Sequence, residues 1–450
     1  MGDYMFMLEN HLSADQFRVL GQIRGLAEEA GHNVFLTGGA MRDTLGGFPV
    51  RDLDFAVEGN ALKLAKVAEK RFDAKIVSTD DLRKSAQLLF PGGVTAEIAM
   101  ARQERFAKSG GKPQVSPGTI YDDLRGRDFT ANAVALSLNK ASLGLPIDPT
   151  NGVGDIERKE LRTTHNYSFY DDPSRLVRLL RFKARLGFTI DERTKAHFEN
   201  AREAGMLERI SSESLGSELR AIAAEMNIAD IIQALADEKL LELYSPALTG
   251  AKLNMPLLVK LQKARQMAPH GPEFHIQPLP LLLSALFDKL NPKERAALAK
   301  AADLTKAEMA GPQKLEIAAK KLERELKSAK LQKPSQLYLK LSQAPGEAAL
   351  YVLLHSEQRL VQDRIKNYFQ KYLPGALEVT DETVVMTLAE KAPPAGTPRF
   401  QKAKEQLILT RLDSRPKKPP PPPEIPTTPP LVSGFGRGPG PRPAPRHARL

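Results

Sequence analysis

The stretch LTGGAMRDTLGGFPVRDLDFAV, residues 36–57, decides how the chain reads. It holds the glycine pair Gly38–Gly39, an Arg42–Asp43 pair, a second glycine pair at Gly46–Gly47, and two aspartates, Asp52 and Asp54, one residue apart. Short apolar runs flank the first glycines and the aspartates. The order is therefore strand, glycine turn, helix from about Ala40 to Leu45, then strand. Side chains on a strand alternate between faces, so Asp52 and Asp54 point the same way. Two like charges that close repel each other. Solvated acids on an edge strand tolerate this. Leu53, Phe55 and Val57 instead indicate a mostly covered strand, where an acid pair calls for a cation. Two hard oxygen ligands on one strand suit Mg²⁺, which takes a few carboxylates and completes its shell with water and substrate phosphates.

The glycines extend this reading. Between a strand and a helix, Gly38 and Gly39 allow a phosphate to approach the backbone, with helix N-terminal amides facing it. Taken alone, the pair fits an ordinary tight turn equally well. Arg42, one turn into the helix, offers a guanidinium to a phosphate oxygen or hydroxyl, with Asp43 orienting it. Together the parts describe a two-metal nucleotidyl-transfer site. One Mg²⁺ activates an attacking 3′-hydroxyl and the other holds a triphosphate.

Working outward, Ser13 and Gln16 form a capping box ahead of a helix with Phe17, Leu20, Ile23 and Leu26 as its apolar stripe. Strand signals follow at 33–37, 53–57, 75–78, 86–90 and 95–101, with a helix over 61–71. Residues 109–113 read as a flexible loop. After Asp155 the pattern is helical to about Leu377, broken at Gly187, Pro256, Pro269–Pro280, Pro292 and Pro334, with a weaker helical unit over 379–413. The fold class expected is α+β: a head with a mixed β-sheet and helices, then an all-α neck, body and tail. The last residues, 414–450, are rich in proline and arginine and are expected to be disordered.

Composition narrows the chemistry. The chain of 450 residues has no cysteine, which removes disulfides, cysteine-ligated zinc and a cysteine nucleophile. The eight histidines are scattered without metal-ligand spacing and no His-Asp pair is adjacent, which disfavours a metal phosphohydrolase. Net charge is +11, of which residues 416–450 supply +5. The mildly basic remainder fits a polyanionic partner or ordinary solubility. No leader and no run of about 18 apolar residues is visible, so a cytoplasmic protein without a membrane segment is expected.

A second stretch, YDDPSRLVRLLRF at 170–182, carries three arginines and two acids among apolar residues. At about 100° per residue, Asp171, Arg175 and Arg178 share one helix face, flanked by Asp172 and Arg181. Charges on a buried helix are costly unless paired or bound. They form either an internal salt-bridge ladder or a binding surface.

These motifs resemble, in order, those of the polymerase-beta-type nucleotidyltransferases that include class II CCA-adding enzymes and bacterial poly(A) polymerases. GGAMRD…RDLDF is similar to the family's head signature. EIAMARQER (97–105) is similar to the next strand. DLRGRDFTANAVAL (123–136) is similar to the Arg-Arg-Asp-Phe-Thr segment, with Gly126 in place of the first arginine. IDPTNGVGDIERKELR (147–162) resembles the connector, read as structural. YDDPSRLVRLLRF resembles the Glu-Asp-x-x-Arg helix, with Asp171 in place of the glutamate. The resemblance is strong over about 30–225.

It implies a nucleotidyltransferase head over 1–145, a helical neck that binds base and RNA over 146–225, and a tRNA-binding helical body and tail over 226–413. It implies that Glu97 joins Asp52 and Asp54 as a catalytic carboxylate, unless it is merely a surface acid on a core strand. It implies that Arg127 contacts nucleotide, that Asp172 and Arg175 read the base edge, and that Arg178 and Arg181 hold base, ribose or phosphate. The substrates implied are CTP, ATP and the 3′ end of tRNA. A poly(A) polymerase, a CC- or A-adding enzyme, and a non-catalytic RNA-binding protein are the alternatives.

Overall fold

The computed structural model describes residues 3–269 and 274–414, so the proline-rich tail beyond Ser414 lies outside the described residues. Two helices, α1 (Asp3–His11) and α2 (Ala14–Glu29), open the chain. The Ser13 hydroxyl accepts from the Gln16 N–H at 3.2 Å, and the Gln16 carboxamide accepts from the Ser13 N–H at 2.9 Å, which is the capping box expected.

The head is a seven-stranded sheet. Its strands are β1 (Asn33–Thr37), β2 (Asp52–Glu58), β3 (Lys75–Asp80), β4 (Ser85–Phe90), β5 (Val94–Met100), β8 (Ala135–Ser137) and β9 (Pro146–Ile147), in the order β3-β4-β5-β2-β1-β8-β9. Only β2 and β5 run parallel; every other pair is antiparallel. A separate hairpin, β6 (Arg102–Arg105) with β7 (Gln114–Pro117), carries the expected loop at its tip. There the Gly110 N–H donates to the Tyr170 carbonyl at 3.1 Å.

Alternation along β2 sets up the site. Leu53, Phe55 and Val57 are buried in one core with α2 and α4 (Ala61–Arg71). Asp52, Asp54 and Ala56 take the other face, where Ala56 packs with Phe35 and with Ile120 and Leu124 of α5 (Ile120–Arg125). The Ile120 N–H donates to Glu58 at 2.8 Å, so α5 covers the far end of β2 and leaves the aspartate end uncovered.

The helical part follows: α6 (Gly152–Arg158), α7 (Ser168–Asp171), α8 (Arg175–Leu186), α9 (Glu192–Glu203), α10 (Ser212–Ala224), α11 (Ile228–Asp237), α12 (Met255–Met267), α13 (Pro278–Phe287), and further helices to Pro398–Asp413. One apolar core runs from Phe129 to Leu373, so the helices after the sheet are packed continuously. Several expected breaks are helix starts. Pro256, Pro278, Pro292 and Pro334 sit in first turns, where a missing N–H costs nothing. The expectation of an all-α region needs one correction: β10 (Glu160–Leu161) and β11 (Thr189–Ile190) form a short parallel pair. Two residues each are too few to leave a period-two signal.

Candidate active site

The glycine turn is built around Asp54. Helix α3 (Gly38–Gly46) begins at Gly38 itself, two residues before the expected start. Gly38 has φ +63°, and a Cβ there would lie 2.9 Å from both Asp54 Oδ2 and Arg127 Nη1. Glycine is therefore required for backbone conformation and for space. The Gly39 N–H donates to Asp54 Oδ2 at 2.8 Å. This first-turn amide, expected to face a phosphate, is engaged by a carboxylate.

Asp52 is exposed at the start of β2 and accepts from the Thr95 hydroxyl. Glu97 stands opposite Asp54 in the parallel register of β2 and β5. Burial pushes the Asp54 carboxyl up, and the negative charges of Glu97 and Asp52 add to that. Arg127 and the Gly39 N–H pull the other way, and the outcome is a pKa of about 6. Among the described residues no three His, Asp or Glu side chains converge as metal ligands. The donor set is the two-carboxylate kind, with Asp52 and Asp54 on one strand face, which fits Mg²⁺ completed by substrate oxygens. Glu97 acts on Asp54 through its charge.

Arg127 braces this centre. Its guanidinium donates to Asp123 Oδ2 at 2.8 and 3.0 Å, to the Thr37 hydroxyl at 3.0 Å and to the Asn132 carbonyl at 3.2 Å. Nearby Gly152 meets a comparable limit, since a Cβ there would lie 2.1 Å from the Thr130 carbonyl oxygen. Asp155 of the connector is fully buried and accepts from Thr130, Arg158 and Arg162, in keeping with a structural reading of that block.

Arg42 is buried and turned inward. It donates to Asp43 at 2.8 Å and to the Asn132 carboxamide at 2.6 Å. From there a closed ring of polar contacts can be followed. Asp43 meets Arg185 at 3.0 Å, and Arg185 meets Glu225 at 3.6 Å. Glu225 meets Arg181 at 3.3 Å, and Arg181 meets Glu218 at 3.0 Å. Glu218 meets Arg178 at 2.7 Å, and Arg178 meets Asp128 at 3.3 Å. Asn132 donates to Asp128 at 2.9 Å and closes the circuit back to Arg42. The Phe182 ring sits against the guanidinium groups of Arg181, Arg42 and Arg185 at 4.7, 5.1 and 6.0 Å. Of the two readings of the charged helix, the ladder accounts for Arg181 and for Arg185. Sequence reasoning missed Arg185, Glu218 and Glu225. A signal existed: Glu218 interrupts the apolar stripe Leu215, Leu219, Ile222 of α10.

The segment 170–182 is not one helix. Asp172 is extended at φ −129°, ψ 94°, between α7 and α8. Pro173 is the cause, since the residue before proline is driven out of the helical region. The shared-face geometry expected for Asp171 is therefore replaced. Asp171 stands at the end of α7, 3.7 Å from His165. Asp172 is half-buried and accepts from Ser174 N–H and Oγ at 3.0 and 2.5 Å. Burial works against its ionisation, but Arg178, Arg175 and the Ser174 donors outweigh that and hold its pKa low. Arg175 donates to the Gly126 carbonyl at 2.9 Å and to Ser168 at 2.8 Å, while its Nε, 3.8 Å from Asp172 Oδ2, is buried without a hydrogen bond. Arg178 remains part-exposed beside Asp172.

Comparison with known proteins agrees with this geometry. Residues 34–162 match the family described as poly A polymerase head domain. The chain is also similar to an A-adding tRNA nucleotidyltransferase of Aquifex aeolicus, 34% identical over 53% of this chain and 29% of that protein. A CC-adding tRNA nucleotidyltransferase of Deinococcus radiodurans is 40% identical over 34% of this chain and 40% of its own length. The chain spans about a third to just over half of the length of the curated relatives it matches. A solved CCA-adding enzyme, 24% identical, covers 92% of this chain and 96% of its own with a TM-score of 0.54, which shows that the sheet and the helices after it share that fold.

Proposed function

We propose that this protein extends the 3′ end of tRNA with nucleotides taken from CTP, ATP or both, without a nucleic-acid template. The observation that carries the proposal is the carboxylate cluster at the glycine turn. Asp52 and Asp54 share one strand face, Glu97 stands across, and burial together with the charges of Glu97 and Asp52 raises the pKa of Asp54, a strain that a divalent cation would relieve. Mg²⁺ is the cation proposed, held by Asp52 and Asp54; when bound it supplies charge stabilisation for phosphoryl transfer and an acidified 3′-hydroxyl. Around it, Gly38 lets the turn close against Asp54, and Arg127 places a guanidinium beside the triphosphate.

Base choice is assigned to Asp172 and Arg175, with Arg178 beside them. Asp172 accepts from an exocyclic amino group, and a guanidinium fork donates to a ring acceptor, a pattern that C and A offer and U and G do not. Arg175 exchanges its hold on the Gly126 carbonyl for the base. Arg181 supports from within the charged ring. The division into a head over 1–145, a neck over 146–225 and an RNA-holding body over 226–413 belongs to the same proposal, as does a cytoplasmic location. Among the described residues no helix is long and apolar enough to cross a membrane.

The test is product length. Purified protein is incubated with tRNA lacking its 3′ end, Mg²⁺ and each labelled nucleotide in turn. Addition of C, A or CCA supports the proposal and says which reaction is run; a long A tract identifies a poly(A) polymerase. Retained RNA binding without any addition overturns the proposal in favour of a non-catalytic RNA-binding protein.

A further inference from the structure

A cavity of about 370 Å³ opens beside the metal-binding end of β2, lined among others by Asp52, Met226, Arg265, Phe274, His275 and Ile276. Arg265 projects from α12 and is only 5% exposed. No carboxylate pairs with it among the described residues. Its Nη1 has no hydrogen-bond partner, and its Nη2 reaches only the Ala224 carbonyl at 3.4 Å and the Met226 sulfur at 3.9 Å. A buried guanidinium left this way costs stability, and nothing among the described residues offsets it.

The surroundings add positive charge. Arg51, next to Asp52, acts on Arg265 electrostatically, and burial together with Arg51 pushes the Arg265 pKa down to about 10. Among the described residues Glu225 counters this, and it already pairs with Arg51, Arg181 and Arg185. A wall of the cavity thus carries cationic charge without a counter-ion among the described residues. Asp52, which also lines the cavity, is the carboxylate given above to the metal.

We propose that the cavity between Asp52 and Arg265 is a phosphate-binding site, filled by a phosphate of the RNA strand whose 3′ end is extended. A phosphate oxygen takes the free Nη1 donor of Arg265, with Arg51 nearby. Phe274, half-buried against Phe369 at 5.1 Å, offers a ring to the adjoining base. The terminal hydroxyl then falls toward the metal side of the cavity, at Asp52. The identity of the occupant as RNA rests on the proposed function; the phosphate chemistry does not.

The test uses the full chain with Arg265→Gln and, as a charge-keeping variant, Arg265→Lys. Three quantities are read: affinity for tRNA lacking its 3′ end without nucleotide, thermal stabilisation by inorganic pyrophosphate, and melting temperature without either. The expected result is that Arg265→Gln weakens RNA binding about tenfold, the usual size of a charged hydrogen bond. Arg265→Lys should restore part of that, and neither variant should melt below the parent. If pyrophosphate stabilisation is lost while RNA affinity holds, the site takes phosphate from the nucleotide and the RNA assignment is overturned. Unchanged binding of both ligands with a lowered melting temperature makes Arg265 a packing residue and overturns the site altogether. RNA binding that depends on Arg265 in a protein that adds no nucleotide would sink the proposed function and leave the site standing.

Discussion

The guanidinium of Arg175 donates to the carbonyl oxygen of Gly126 at 2.9 Å, tying the start of α8 to the turn that presents Arg127. The residue assigned to read a base is thus also a clasp between α8 and the turn after α5.

That double use makes Arg175→Ala informative. Loss of the clasp should lower the melting temperature. Loss of the donor fork should also erase preference for C and A over U and G by roughly 5- to 150-fold, the worth of a bidentate base contact. Competition assays with all four nucleotides measure it. A lower melting temperature with unchanged preference would leave base reading to Asp172 and Arg178.

Gly38 and Gly47 give a matched pair. Both are left-handed, at φ +63° and +71°, but a Cβ meets Asp54 and Arg127 at Gly38 and nothing within 4 Å at Gly47. Alanine at either site costs about 1–2 kcal/mol of backbone strain. Only Gly38→Ala displaces the carboxylate, and a shift of about 1 Å in a reacting group costs about 100-fold in rate. Equal activity of the two variants would contradict the close packing proposed to matter.

The Asp54 carboxyl gives a pH signature. Its folded pKa is about 6, against 3.8 ordinarily, so the unfolded chain loses this proton first. Stability of the metal-free protein therefore falls as pH rises through that window, by at most about 3 kcal/mol. Asp54→Asn should melt higher than the parent at pH 7.5 without metal and equally at pH 3.5. Adding Mg²⁺ should raise the parent more than the variant. A variant less stable than the parent at pH 7.5 would show that the charge cluster is not strained.

Glu225 serves Arg51, Arg181 and Arg185 together. Glu225→Gln leaves these guanidinium groups under-compensated, and removal of one partner from a buried charge set costs about 3–5 kcal/mol. Denaturant unfolding checks this. A change below about 1 kcal/mol would mean that water reaches the ring and screens it.

What could be read from sequence followed the range of the interaction. The Ser13 cap, helix 61–71 and the shared face of Asp52 and Asp54 depend on neighbours within four residues, and the structure has each of them. The break at Asp172 was also local: the continuous-helix pattern of Leu176, Val177 and Leu180 concealed the effect of Pro173. The ring was not legible in the same way. Arg178 and Arg181 find Glu218 forty and thirty-seven residues away, and Arg42 finds Asn132 ninety residues away. Buried charge on α8 showed that partners were needed without naming them. Arg265 carried no signal, since one arginine in a helix that also holds Lys260 and Lys263 reads as solvated.

The central claim is that Asp52 and Asp54 hold the metal that drives nucleotide transfer. The most direct measurement is the single-turnover rate of nucleotide addition by Asp52→Asn and Asp54→Asn with saturating Mg²⁺, alongside their affinity for the same tRNA. Each change removes a cation ligand and leaves the RNA-holding body untouched, so addition should vanish in both while RNA affinity stays at the parent value. Either variant adding nucleotide at a rate comparable to the parent would contradict the account.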